Sequence, residues 1–146
     1  MTIHRLLSWV AIVLLVLLLV GVRFFETTLF AEPLYDYFHA DFHLLALPTG
    51  KAGVILAITT LRYLVNTVLS LGILWFIYKK RAFIIASLWV YLFAFVILLI
   101  TMAMCLFSDG ESAKMILFYA RRFLIHPILL FILVAGFYYL RNKELR

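Results

Sequence analysis

The chain has 146 residues, 67% of them apolar, with a mean hydropathy of +1.14 and a net charge of +6. Soluble domains carry about 45–50% apolar residues, so the composition excludes an ordinary water-soluble globular domain, and the length leaves room for one membrane bundle. The cations are dispersed and many flank apolar runs, where they orient and anchor helices. That pattern excludes the concentrated basic patch of a nucleic-acid-binding protein and makes the lipid bilayer the first partner.

The first apolar run, Leu6–Val22, follows Arg5. It is longer than the apolar centre of a signal peptide, and Gly21-Val22-Arg23-Phe24 offers no A-x-A-like cleavage pattern. An uncleaved signal-anchor helix over 6–24 is expected. The segment 25–51 forms the one long loop. Within it, Pro33 suits a first helical position, and Leu34, Tyr37, Phe38, Phe42 and Leu45 recur at spacings of three and four. This predicts a short amphipathic helix on the membrane surface or capping the bundle, ended by Pro48-Thr49-Gly50.

Three longer apolar stretches follow, predicting helices over 52–78, 82–107 and 115–140. A helix crosses the hydrocarbon core with about 20 mostly apolar residues, and each stretch exceeds that. The turn Lys79-Lys80-Arg81 is so short that the helices on either side of it are antiparallel neighbours. The fold class expected is therefore an all-α integral membrane protein. It is a single domain, 1–146, of four transmembrane helices with the amphipathic helix in its first extracytoplasmic loop. Counting cations in short connections sets the orientation. Arg5, Lys79-Lys80-Arg81, Arg141, Lys143 and Arg146 go inside, which puts both termini in the cytoplasm of a bacterial inner membrane. Trp75, Tyr78, Tyr138 and Tyr139 then fall at the cytoplasmic interface, where amphipathic rings anchor helices.

Polar residues inside such spans are costly, so each needs a reason. With entry near Gly53, Arg62 lies about 14 Å into its helix at 1.5 Å per residue. A guanidinium at that depth costs somewhere from about 2.5 to more than 10 kcal/mol. Asn66 lies one turn further on the same face. Both should face the bundle interior, unless the helix is shifted and Arg62 snorkels to the interface. The last helix repeats the pattern with Arg121, Arg122 and His126, followed by Pro127, which removes a backbone hydrogen bond and can kink a helix. At the outer end of the first helix, Arg23 and Glu26 are spaced to pair. Glu26 is the favoured counter-ion for Arg62 or Arg122, because buried charges survive mainly as pairs. Three spans thus bring Arg23, Glu26, Arg62, Asn66, Arg121, Arg122 and His126 to a similar height on the outer side, a candidate partner-binding cluster.

Two weaker constellations carry little chemistry. Asp36, His39 and His43 share a face of the loop helix, but they lack a fourth ligand and read as a solvated polar surface, so neither metal nor cofactor is expected. Cys105, the lone cysteine, would need activation by Arg122 and His126 to act as a nucleophile, and a buried inert thiol is the commoner case.

Arg23-Phe24-Phe25-Glu26, Pro33-Leu34-Tyr35-Asp36-Tyr37-Phe38, Arg62-Tyr63-Leu64-Val65-Asn66-Thr67 and Arg121-Arg122-Phe123-Leu124-Ile125-His126-Pro127 together resemble the exosortase F system-associated membrane proteins. The resemblance covers nearly the whole chain, including its length and helix layout. It implies a setting beside exosortase F, a membrane cysteine transpeptidase-like enzyme acting on C-terminal sorting signals at the outer face of the inner membrane. It implies no mechanism for the associated protein. Exosortases place Cys, Arg and His on separate helices, whereas here Arg122 and His126 share one, so no catalytic role is carried over. The expected function is a non-catalytic accessory subunit that docks the exosortase-type enzyme or its sorted substrates. The alternatives are a minimal cysteine transpeptidase using Cys105, or a small transporter-like protein binding an anion or lipid.

Overall fold

The computed structural model describes residues 2–29, 40, 50, 52–108 and 110–145. Among these the regular structure is entirely helical: α1 Ile3–Phe24, α2 Glu26–Leu29, α3 Ala52–Tyr78, α4 Arg81–Leu106, α5 Glu111–Ile125 and α6 Ile128–Glu144. Three helices, α1, α3 and α4, are long and apolar enough to cross a membrane, and a fourth span exists only if α5 and α6 are taken together. Several apolar spans of this kind fit a multi-pass membrane protein. The amphipathic helix expected around Pro33–Leu45, with Asp36, His39 and His43, lies outside the described residues.

The single helix expected over 115–140 is instead two, bent by 57° at a short break. The cause is local. His126 makes the last helical bond, its N–H donating to the Arg122 carbonyl at 3.0 Å. Proline at the next position disfavours helical ψ in its predecessor, and His126 turns to ψ 141°. Pro127, with φ −77° and ψ 49°, sits in a tight turn closed by Ile128 N–H donating to the His126 carbonyl at 2.8 Å, the geometry of an inverse γ-turn. At 1.5 Å per residue, α5 and α6 are about 22 and 25 Å long, too short to span a core of about 30 Å singly.

The bundle is organised around α3, which packs on α1, α4, α5 and α6. Its lipid-side surface is apolar, with Val54, Leu61, Leu64 and Val68 exposed, while Thr59, Arg62, Asn66 and Ser70 are buried with Ile55 and Leu74. Lipid tails offer polar groups nothing, so in a membrane the polar side chains turn inward and the apolar ones outward. The Tyr63 hydroxyl crosses to α4 and donates to the Tyr91 carbonyl at 2.7 Å. Its ring stacks on Phe95 with centroids 5.1 Å apart. Helix α1 has no buried residue and lies against α3 where Gly72 allows close approach; a Cβ there would stand 3.1 Å from the Leu15 Cδ1.

At the far end of α3, Lys79 adopts φ 51°, ending the helix and reversing the chain into α4. Tyr78 was expected at the interface but is buried. Its hydroxyl donates to the Val134 carbonyl of α6 at 2.5 Å. Its ring meets Phe83 and Phe137 edge-on, and those two stack in parallel at 4.5 Å. The hydroxyl finds its acceptor inside the bundle, which removes the reason to seek water. Trp75, Tyr138 and Tyr139 are exposed.

Candidate functional site

The site begins where α1 stops. The Phe25 N–H donates to the Gly21 carbonyl at 2.9 Å, and the chain re-enters a short helical turn at Glu26. There the Glu26 carboxylate reaches Arg62 of α3. One carboxylate oxygen, Oε2, accepts from Arg23 Nη1 and also from Arg62 Nη2, the latter at 2.6 Å. The Arg62 side chain is 2% exposed and that of Glu26 12%, against 54% for Arg23. The inner pair is therefore an ion pair largely removed from water, with Arg23 as its outer member. Two cations on one carboxylate leave the triad with a net positive charge. Such a pair is retained only when its partners stay together, because removing either strands a buried charge.

Arg62 and Asn66 line a cavity of about 270 Å³ with Arg23 and His126, and Leu19, Pro127 and Phe131 contribute to its apolar walls. His126 lies within electrostatic reach of Arg23, Arg122, Glu26 and Arg62. The break at Pro127 brings the histidine here, since it ends α5 beside the cavity and starts α6 along its side. Ligand pockets usually run from about 300 to 1,000 Å³, so this one suits a side chain or a small headgroup better than an extended substrate. Its lining is mainly apolar, and its few polar groups, guanidinium, amide and imidazole, can recognise a carboxylate, a phosphate oxygen or a carbonyl.

Of the residues singled out from sequence, the structure gathers Arg23, Glu26, Arg62, Asn66 and His126. It does not gather Arg121 and Arg122 into the cavity lining. Helix α5 buries Leu117, Ala120 and Leu124, and on a helix of 3.6 residues per turn that stripe puts Arg122 on the opposite face and Arg121 beside it. Arg122 is accordingly exposed and Arg121 half-buried. Cys105 belongs to the apolar core cluster and does not line the cavity.

Sequence reasoning missed that Thr59 and Ser70 extend the buried polar face of α3. Their spacing, Thr59 three residues before Arg62 and Ser70 four after Asn66, carried the signal. No family model, curated protein or solved structure matches the chain.

Proposed function

We propose that this chain is a non-catalytic accessory subunit of an exosortase-type protein-sorting system, with its Arg62 end extracytoplasmic and both termini in the cytoplasm. One observation carries the reading: Arg62, paired with Glu26, lines a small and mainly apolar cavity together with Arg23, Asn66 and His126. A few donors set in apolar walls suit holding a partner's acceptor group. The cavity is flanked by exposed apolar surface on α1 and α6, including Val20 and Phe131, so the occupant is itself membrane-embedded. A partner helix with a carboxylate or a freed backbone carbonyl at that depth meets these requirements, as the exosortase-type enzyme or the C-terminal helix of a sorted substrate would.

Photocrosslinking in the native membrane tests this. A crosslinkable residue at Phe131, which lines the cavity, should capture the enzyme or a sorted substrate. The same probe at Phe93, exposed on α4, should capture neither. Deleting the chain should impair sorting. Equal capture from both positions, or no capture with normal sorting after deletion, would remove the proposal. Because Cys105 sits in the apolar core, Cys105→Ala should leave sorting unchanged; loss of sorting in a folded Cys105→Ala protein would favour the transpeptidase reading.

A further inference from the structure

A second cavity, of about 400 Å³, lies at the opposite end of the bundle between α1, α3 and α6. It differs in charge from the first. Arg5 from α1, Lys79 from the turn after α3 and Arg141 from α6 converge on it, beside Ser8, Trp9 and Phe76. Among the described residues, no acidic side chain lines it. Glu144, one turn beyond Arg141, is engaged elsewhere, with its carboxylate 2.5 Å from Lys80 Nζ. Three cations from three separate elements thus share one recess with no carboxylate among its described lining residues, and like charges held together are unfavourable unless an anion answers them.

Arg141 is the best-placed of the three. Its guanidinium lies over the Tyr78 ring, 5.7 Å from the centroid, and Tyr78 is itself fixed by its bond to Val134. The Arg141 Nε is buried and makes no hydrogen bond. A buried guanidinium N–H without an acceptor is uncommon, and an anionic oxygen entering the recess would satisfy it. The other half of the recess is apolar, with Trp9, Ile12, Phe76 and Ile77. The occupant therefore combines a compact anion with an attached apolar body.

We propose that this recess binds the phosphodiester headgroup of an anionic phospholipid, with the phosphate held among Arg5, Lys79 and Arg141 and the acyl chains running along α1 and α3. Basic pockets between membrane helices recognise lipid headgroups in this way. Because the lipid would bridge α1 to the rest of the bundle, it would also hold in place a helix that buries none of its own residues.

Native mass spectrometry of the full-length protein, released from nanodiscs containing phosphatidylcholine and phosphatidylglycerol, reads this directly. The wild type should retain phosphatidylglycerol in preference to phosphatidylcholine. Arg141→Gln should reduce that retention at least tenfold. Arg5→Gln, at an exposed position where folding is not at issue, should do likewise. Lys143→Gln, the same charge change at an exposed residue outside the recess, should retain lipid like the wild type. Equal retention by Arg5→Gln and wild type, or equal loss in Lys143→Gln, would overturn the site. So would displacement of the lipid by millimolar inorganic phosphate, which would mark a free-anion site.

Discussion

A guanidinium taken out of water needs an answering carboxylate within hydrogen-bond reach, and Glu26 supplies it to Arg62 at 2.6 Å. The same logic governs the neutral polar groups of α3. The Tyr63 hydroxyl reaches across to the Tyr91 carbonyl at 2.7 Å, joining α3 to α4. Interhelical hydrogen bonds in membranes average about 0.6 kcal/mol and reach about 1.7. Tyr63→Phe should therefore lower stability by about 1 kcal/mol or less in a reversible detergent-unfolding titration, with no change in helix content. The stacking on Phe95 survives that change, so a much larger loss would show that the hydroxyl organises more than one contact. At this scale the sequence was informative because cost is readable: a buried cation needs a counter-ion, which narrowed the partner of Glu26 to Arg62 or Arg122, and the structure places Arg62 on it. The outward turn of Arg122 was not readable, because it depends on which stripe of α5 the bundle buries. That stripe, Leu117, Ala120 and Leu124, competes with other apolar residues of the same helix.

Among the elements, the broken α5–α6 unit decides the site. Pro127 announces a disturbance in the sequence, but its extent depends on His126 leaving helical geometry as well. Two consecutive non-helical residues turn a kink into a 57° bend. Pro127→Ala should restore the missing N–H and relieve the constraint on His126. In a Cys105→Ala background, spin labels at Ile116 and Tyr139, both exposed, should then move apart by about 5 Å as the two segments straighten. An unchanged distance would mean that packing against α3 and α4, and not proline, imposes the bend. Straightening should also withdraw His126 from the cavity, so capture through Phe131 should fall in the same variant. The long helices α1, α3 and α4 were legible from length and apolarity alone, to within a few residues at each end. Tyr78 shows the limit of that reading, since a ring at a helix end can anchor in water or in the bundle, and only the position of the Val134 carbonyl decides.

In the molecule as a whole, charge is divided between two ends with different economies. The Arg62 end holds cations against a carboxylate and keeps donors facing a small cavity. The other end gathers Arg5, Lys79 and Arg141 with no carboxylate among the described lining residues. Between them the apolar helices supply length and lipid contact. The docking reading depends on the first end being a preorganised polar site and not a set of cations reaching separately for headgroups. A double-mutant cycle on Glu26 and Arg62 measures this most directly, using unfolding free energies of the wild type, Glu26→Gln, Arg62→Leu and the double variant in bicelles. Each single change should cost about 3 kcal/mol, the loss typical of stranding one member of a buried pair. The double variant should then be more stable than the sum of the two losses by at least about 1 kcal/mol, the scale of coupling between residues in direct contact. Simple additivity, with both single variants near wild-type stability, would show that Arg62 and Glu26 do not depend on each other and would contradict the account.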